Sequence, residues 1–330
     1  MQINFLKFFK GLIFGVVLIS FAIPVSVVFE NIFDGTVYAA KKERRKPPKA
    51  RRTQTMTKRV GAEFIKAQEA LSEDLPDTAF TILENLMRRE DLREFEKAQI
   101  TRLQAYVWAE KDDYPKAMTY LQRSFNYKAL QPQAQLDLQF QIAQLHLALD
   151  KWKEGEVLLT QWFEDAEAFG SPPGPSAHAL LAQIYLYFAS DEKKDSPEEA
   201  HFYRKAEPHA QIAVFRATEP RENWYQIYLS ILLFDDRYEE AIPILEAMVY
   251  RFPEKKNYYR QLAALYAEQK RENDSFQIQQ IMHNKGMLEK HDELLRISQL
   301  YLYYDIPFKA ATIMEKELED GRIKDEEKYW

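Results

Sequence analysis

Small side chains recur at regular intervals among large apolar ones between Val60 and Ile323. Seven of them lie 34 to 51 residues apart: Ala79, Ala117, Gly155, Ala206, Ala241, Ser275 and Ala310. In most units a second small residue stands 12 positions earlier, and this set comprises Ala67, Ala105, Ala143, Ala263 and Ser298. Two antiparallel helices pack closely only where each presents a small side chain at the crossing point. The spacing therefore predicts about seven helical hairpins.

Aromatic residues keep a fixed distance from these small residues. One set follows the earlier small residue by three positions, at Trp108, Tyr185, Tyr266 and Tyr301, and another precedes the later one by three, at Tyr114, Trp152 and Tyr238. Only 9 glycines occur, which are few for the turns of many short strands. A period near 34 residues with two helices per unit is similar to the tetratricopeptide repeat (TPR). We therefore expect an all-α fold, a right-handed superhelical solenoid of about seven TPR-like hairpins.

The fourth and fifth units depart from the pattern. Ala182 and Ala206 are 24 residues apart, which is twice the usual spacing, and the charged segment "SDEKKDSPEEA" lies between them. We expect an insertion near residues 190–201, forming an exposed loop before a long second helix that starts near Pro197. In the fifth unit Leu229 replaces the first small residue. The repeat region is expected to span residues 60–323, followed by a charged tail at 324–330.

The first 39 residues have the order of an export signal. Lys7 and Lys10 form a positive start, an apolar run extends from Gly11 to Val28, and Val37-Tyr38-Ala39 supplies small residues at the cleavage positions. We expect cleavage after Ala39 and a periplasmic protein. The alternative is an uncleaved inner-membrane anchor that faces the periplasm, since about 18 apolar residues are at the lower limit for spanning a bilayer.

A basic arm, residues 40–59, is expected to follow. Residues 41–59 carry ten basic residues and one Glu, which predicts a disordered segment. It suits contact with an anionic membrane surface, and a solvated linker is the alternative. Removing the 12 basic and 3 acidic residues before Val60 from totals of 45 and 51 leaves 33 and 48, a net charge of −15. Nucleic acid is therefore not expected as a partner.

The first helices of TPR arrays line a concave face, at positions six and three before the earlier small residue and one, four and five after it. Transferring this spacing predicts a partner-binding concave face comprising Arg102, Tyr106, Phe140, Gln144, Gln183, Tyr187, Gln226, Phe234, Asn257, Arg260, Gln299 and Tyr303. Tyr and Arg with amide side chains suit a protein interface. The alternative is that several of the aromatic residues pack between repeats.

No residue pattern indicates an enzyme. The chain has no cysteine, and no Gly-rich phosphate loop occurs. None of the histidines forms a pair at helical metal-binding spacing with an intervening carboxylate; they are His146, His178, His201, His209, His283 and His291. We therefore expect no catalytic residues, no cofactor and no metal ligands.

Several segments resemble one group of proteins, the exported TPR proteins of Gram-negative bacteria whose genes accompany TonB, ExbB and ExbD. The similar segments are "RRTQTM" (51–56), "FEKAQI" (95–100), "DDYPKAM" (112–118), "ENWYQIYL" (222–229), "QLYLYYDIPFKAA" (299–311) and "LEDGRI" (318–323). The resemblance implies a non-enzymatic periplasmic scaffold that binds components of a TonB-type energy-transduction system for iron uptake. The alternative is a cell-envelope assembly or division factor that binds a peptidoglycan enzyme or an outer-membrane assembly subunit.

Overall fold

A computed structural model of the protein describes residues 54 to 323. Within this range the chain forms fourteen α-helices and no β-strand. The helices are α1 (Lys58–Ser72), α2 (Pro76–Met87), α3 (Glu94–Glu110), α4 (Tyr114–Asn126), α5 (Pro132–Ala148), α6 (Trp152–Ala168), α7 (Pro175–Asp191), α8 (Pro197–Phe215), α9 (Glu222–Phe234), α10 (Tyr238–Arg251), α11 (Lys256–Glu268), α12 (Glu272–Asn284), α13 (His291–Tyr303) and α14 (Pro307–Glu319). The prediction of an all-α fold is confirmed.

The helices pair as hairpins in two compact units. The first unit ends at Gly174 and contains α1 to α6, and the second begins at Pro175 and contains α7 to α14. Within each unit every odd-numbered helix packs against the helix that follows it. The first unit thus has three hairpins and the second has four, which is the predicted total of seven.

The predicted small residues occupy the interiors of these hairpins, and all twelve are buried. Close contact is directly visible in the sixth hairpin, where the Ser275 hydroxyl donates a hydrogen bond of 2.7 Å to the Ala263 carbonyl oxygen. Ser275 lies on α12 and Ala263 on α11, 12 positions apart. A larger side chain at either position would push the two helix axes apart. In the fifth hairpin Leu229 and Ala241 are both buried as well.

The turns inside the hairpins share a feature that the sequence pattern did not predict. Five positions before the later small residue, the backbone adopts a positive φ of 54° to 58°; the residues are Asp74, Asp112, Asp150, Asp236, Lys270 and Asp305. Asp and Asn tolerate this left-handed conformation better than most other residues with a side chain. In the second hairpin the next residue, Asp113, donates its N–H to the Trp108 carbonyl at 2.9 Å. This bond caps a carbonyl left unpaired at the end of α3.

The expected insertion is mostly helical. α7 extends to Asp191 and α8 begins at Pro197, so only residues 192–196 link the two helices. The Ser196 hydroxyl accepts the N–H of Glu199 at 3.1 Å, which caps α8 where Pro197 occupies its first turn. Residues 191–195 are exposed, as expected for the loop, and α8 is the longest described helix, with 19 residues.

The beginning of the repeat region differs slightly from the expected boundary. We expected the arm to extend to Arg59, but Lys58 and Arg59 belong to α1. The Thr57 N–H donates to the Glu96 carboxylate at 2.7 Å, and Arg93 Nη2 donates to the Thr55 carbonyl at 2.5 Å. These bonds hold residues 55–57 against the start of α3, which explains why helix formation begins before Val60.

The other sequence expectations near the termini lie outside the described residues. These are the export signal or anchor at 1–39, the arm up to residue 53, and the tail at 324–330. Between residues 54 and 323, no helix is both long enough and apolar enough to cross a membrane.

Candidate partner-binding face

The twelve predicted face residues fall on the first helix of their hairpins, and they differ widely in exposure. Four are exposed: Asn257, Arg260, Gln299 and Tyr303. Six are half-buried: Arg102, Tyr106, Phe140, Tyr187, Gln226 and Phe234. Gln144 and Gln183 are buried, with exposed fractions of 7% and 4%. The latter two side chains therefore do not form part of the open surface.

In the first unit the predicted face is largely engaged in packing. The Phe140 ring lies 4.6 Å from that of Trp162 on α6, with an angle of 38° between their planes. Trp162 is itself fixed by a 3.0 Å hydrogen bond from its indole N–H to the Leu136 carbonyl. Burial lowers the pKa of Arg102, an effect that the nearby Asp137 carboxylate opposes. Burial also raises the pKa of Tyr106 to about 12.

In the second unit Phe234 also has a packing role. Its ring stacks on Tyr203 of α8, with centroids 3.7 Å apart and planes 10° apart. Burial raises the pKa of Tyr203 to about 12. Phe234 thus packs between two neighbouring hairpins, whereas Phe140 packs against the second helix of its own hairpin.

Gln226 links two neighbouring hairpins of the second unit. Its Nε2 donates to the Tyr258 hydroxyl at 2.6 Å, and that hydroxyl donates in turn to the Glu222 carboxylate. Burial, together with the bond to Glu222, raises the pKa of Tyr258 well above its usual range. Lys255 stands 3.7 Å from Glu222 and balances its charge. Gln226 therefore serves to hold α9 to α11.

The four exposed residues of the predicted face all lie on α11 and α13. Lys256 Nζ pairs with the Glu293 carboxylate at 2.7 Å and sets these two first helices side by side. About one helical turn further along each helix lie Arg260 and Arg296. Both guanidinium groups are exposed and make no ion pair with any residue between 54 and 323.

We define the α11–α13 face as Asn257, Arg260, Arg296, Gln299 and Tyr303. The Tyr303 side chain is 73% exposed, and the neighbouring Leu302 is 57% exposed. The face thus combines two cations, two amides and an apolar margin. Arg296 is a residue that the repeat spacing missed, because it lies two positions before Ser298, outside the transferred positions. Its relation to Arg260 becomes visible only through the pairing of Lys256 with Glu293.

The structure also brings two histidines together. His178 on α7 and His209 on α8 are 31 residues apart in the chain, and their Nδ1 atoms lie 2.8 Å apart. Relative to Ala182 and Ala206, they stand four positions before and three positions after the small residues of their hairpin. In an antiparallel pair these positions lie at the same level, which is the signal that could have predicted the contact. Among residues 54–323, no group of three or more His, Cys, Asp or Glu side chains could hold a metal ion.

Solved structures similar to this chain are TPR proteins. The C-terminal part of a TPR-containing protein from Cytophaga hutchinsonii matches with a TM-score of 0.52 and 11% identity, covering 81% of this chain and 97% of that one. A TPR protein from Parabacteroides merdae matches with a TM-score of 0.47 and 11% identity, covering 82% and 95%. A signal-transduction ATPase with a TPR sensor from Pyrococcus horikoshii gives 0.48 and 14%, covering 79% and 42%.

No protein-family model and no curated protein matches the chain. The likeness to the Cytophaga protein, together with the seven hairpins, identifies the described region as a TPR-type helical repeat. This confirms the predicted fold class. At 11% identity the likeness concerns the fold alone.

Proposed function

We propose that this protein is a non-enzymatic scaffold that binds another protein through its first helices, chiefly through the α11–α13 face. The observation that carries the proposal is the pair of exposed cations, Arg260 and Arg296, on adjacent parallel helices. Neither guanidinium has an ion-pair partner between residues 54 and 323, and two like charges on one face repel each other. A carboxylate from a partner would relieve the repulsion and accept charge-assisted hydrogen bonds.

The surroundings of the two arginines fit a protein partner. Arg and Tyr are enriched among the residues that dominate binding energy at interfaces. Tyr303 and Leu302 offer apolar area for burial, while Asn257 and Gln299 can donate and accept hydrogen bonds along a peptide backbone. An extended segment that carries an acidic residue next to an apolar one matches this arrangement.

The partner we propose is a component of a TonB-type system, TonB, ExbB or ExbD, and the compartment is the periplasm. Two sequence features support this: the resemblance of residues 51–323 to exported TPR proteins encoded beside those components, and the signal-like order of residues 1–39. Residues 41–59 carry nine more basic than acidic residues, and would add contact with anionic lipid headgroups near the inner membrane.

Site-specific photocross-linking in cells tests the proposal. A benzophenone amino acid at Gln299 samples the α11–α13 face, and the same group at Thr312, an exposed residue on α14, is the matched control. We expect a protein adduct from position 299 that is absent from position 312 and contains TonB, ExbB or ExbD. An adduct specific to position 299 that contains a protein other than TonB, ExbB or ExbD would reject the TonB assignment but would still support a protein-binding scaffold. Equal amounts of adduct at the two positions, or no adduct at either, would reject the α11–α13 face as the binding surface.

The location is tested separately. N-terminal sequencing of the protein from a periplasmic fraction is expected to begin at Ala40. Recovery of the chain in the cytosolic fraction would reject export. Recovery in the inner membrane with Met1 retained would indicate the anchored form.

A further inference from the structure

The two helices of the α11–α13 face carry their exposed side chains in the same order. On each helix an arginine comes first, and small, amide or apolar side chains follow. The exposed residues are Arg260, Ala264 and Ala267 on α11 and Arg296, Gln299, Leu302 and Tyr303 on α13. Counted from the small residues of the two hairpins, Ala264 is equivalent to Gln299 and Ala267 to Leu302. The order is therefore a property of both helices and not of one.

The cations and the apolar side chains lie two helical turns apart. Residues seven positions apart lie on nearly the same side of a helix and about 10 Å apart along its axis. Arg260 and Ala267 have this separation on α11, and Arg296 and Tyr303 have it on α13. Because the helices run parallel and an ion pair sets their first turns side by side, both cations lie at one end of the face. The other end, which we define as the apolar end, comprises Ala267, Leu302 and Tyr303.

We propose that the α11–α13 face recognises an extended segment of a partner protein in which an acidic residue and a large apolar residue are three positions apart. The carboxylate of the acidic residue meets Arg260 and Arg296, and the apolar side chain meets the apolar end. This recognition rests on the scaffold function proposed above and specifies the partner segment more closely, since the apolar residue is the third neighbour of the acidic one.

The separation of the two ends selects the conformation of the segment. In the polyproline II conformation the chain advances about 3.1 Å per residue with three residues per turn, so side chains three positions apart point the same way, about 9 Å apart. In a β-strand, side chains that point the same way lie about 7 Å or about 13 Å apart. Only the polyproline II value matches the separation of about 10 Å on α11 and α13. Its backbone groups have no internal hydrogen bonds and suit the amides of Asn257 and Gln299.

Two exposed carboxylates limit where the acidic residue of the segment can bind. Asp292 lies about one turn before Arg296, and Glu268 directly follows Ala267. Neither carboxylate forms an ion pair with Arg260 or Arg296. Both repel an acidic residue placed beyond the arginines or at the apolar end, whereas the two guanidinium groups attract it between these points. The order of charges along α11 and α13 thus favours a single register.

Selection from a random decapeptide library displayed on phage tests the spacing, with the full-length chain in detergent as the bait. We expect the recovered peptides to be enriched in Asp or Glu three positions before or after Phe, Tyr, Trp or Leu. The double variant Arg260→Gln with Arg296→Gln should lose the preference for the acidic residue. Recovery of peptides with no preferred spacing, or of no peptide, would overturn the proposal.

Fluorescence anisotropy with synthetic peptides tests the conformation and the apolar end. A peptide containing Asp-Pro-Pro-Phe should bind several-fold more tightly than one containing Asp-Gly-Gly-Phe, because proline favours polyproline II before binding. Tyr303→Ser should weaken binding of the first peptide by about fivefold or more. Tyr250→Ser is the matched control, because Tyr250 is 86% exposed on α10, and it should bind as the wild type does. Equal weakening by the two variants, or tighter binding of the glycine peptide, would contradict the proposal.

Failure of the recognition rule can be distinguished from failure of the scaffold function. A specific adduct from a benzophenone at Gln299 in cells, together with selected peptides of no preferred spacing, would reject the rule and retain the scaffold. If a variant fails to fold, which circular dichroism would reveal, the peptides selected by the wild type alone still decide.

Discussion

Gly155 lies so close to Leu147 that a β-carbon on Gly155 would stand 2.5 Å from the Cδ2 atom of that leucine. Leu147 is 2% exposed, so its side chain cannot turn away into solvent. The Ala143 carbonyl oxygen is 3.5 Å from the same point. A β-carbon at position 155 would therefore require the buried Leu147 side chain to move, and the sequence pattern of small residues marks this close crossing of α5 and α6.

We expect Gly155→Ala to lower the free energy of unfolding by about 1–3 kcal/mol, because the added methyl group overpacks the crossing. Leu147→Ala in the same chain should recover part of the loss, giving a favourable coupling energy between the two changes. Gly174→Ala is the control, since no atom lies within 4 Å of its β-carbon position. Urea unfolding gives the free energy of unfolding for Gly155→Ala, for Leu147→Ala, for the double variant and for Gly174→Ala. If Gly155→Ala were as stable as the wild type, the close crossing of α5 and α6 would be contradicted.

The turn at Lys270 predicts a stabilising substitution. Lys270 has a φ of 58°, in a position where five other hairpins carry aspartate. The left-handed conformation costs a residue with a β-carbon about 1 kcal/mol, and glycine avoids this cost. Lys270→Gly should therefore raise the unfolding midpoint. The neighbouring Gln269→Gly, where φ is −82°, should lower it. If Lys270→Gly is the less stable of the two, the turn geometry is not as described.

Glu96 predicts a loss of stability in acid. The carboxyl group is buried, and the hydrogen bond from Arg93 holds its pKa at about 2, helped by the backbone N–H groups of Thr57 and Arg93. Since the pKa is lower in the folded state than the ordinary value of 4.5, the stabilisation is complete above pH 4.5. It disappears as the pH falls towards about 2.

Glu96→Gln should cost about 2–3 kcal/mol at pH 7, because the Arg93 guanidinium and the Thr57 N–H lose a charged acceptor. The variant should also show a smaller change of stability between pH 4.5 and pH 2 than the wild type. Glu94→Gln removes an exposed carboxylate from the same helical turn and is the control. Urea midpoints at pH 6 and pH 3 provide the measurement; parallel curves for Glu96→Gln and the wild type would show that Glu96 does not titrate as described.

Charge reversal on the α11–α13 face tests the role of its arginines. We expect Arg260→Glu with Arg296→Glu to reduce the adduct from a benzophenone at Gln299 by about tenfold, because a partner carboxylate would then be repelled. The unfolding midpoint should hardly change, since neither guanidinium pairs with another residue between 54 and 323. The control is the double variant Lys193→Glu with Lys194→Glu, which reverses two positive charges in the exposed linker before α8. If both double variants reduce the adduct equally, net charge and not this face controls binding.

Phe234 should behave as a packing residue. Phe234→Leu removes the stack on Tyr203 and is expected to cost about 1 kcal/mol of stability. The adduct from Gln299 should persist in the folded variant. If Phe234→Leu had the stability of the wild type but lost the adduct, Phe234 would have to contact the partner.

The fold could be predicted from the sequence because the crossing residues carry a local requirement. Ala67, Ala105 and Gly155 must be small wherever their hairpins lie, so the period is visible without knowledge of any neighbour. The left-handed turns were also visible in principle, since Asp74, Asp112 and Asp150 keep the same spacing to the small residues. The pattern of aspartates is incomplete, because Lys270 replaces one of them and the fourth hairpin has a different linker.

The candidate face was less predictable, since spacing gives the direction of a side chain and not what covers it. Gln144 and Gln183 point as Gln299 does in the repeat, yet they are buried while Gln299 is exposed. The repeat spacing does not mark Arg296. That it lies on the same face as Arg260 follows only from the ion pair of Lys256 with Glu293, which are far apart in the sequence. The contact of His178 with His209 likewise requires the register of two helices.

The bonds of residues 55–57 to α3 determine how the protein responds to tension. A pull on the chain at residue 54 acts first on the Thr55 carbonyl and the Thr57 N–H, which Arg93 and Glu96 hold. The load therefore passes directly to the second hairpin, and α1 is not peeled away from α2 turn by turn. If the segment before residue 54 is tethered to a membrane, a pull from a partner would load these bonds before it loads α1.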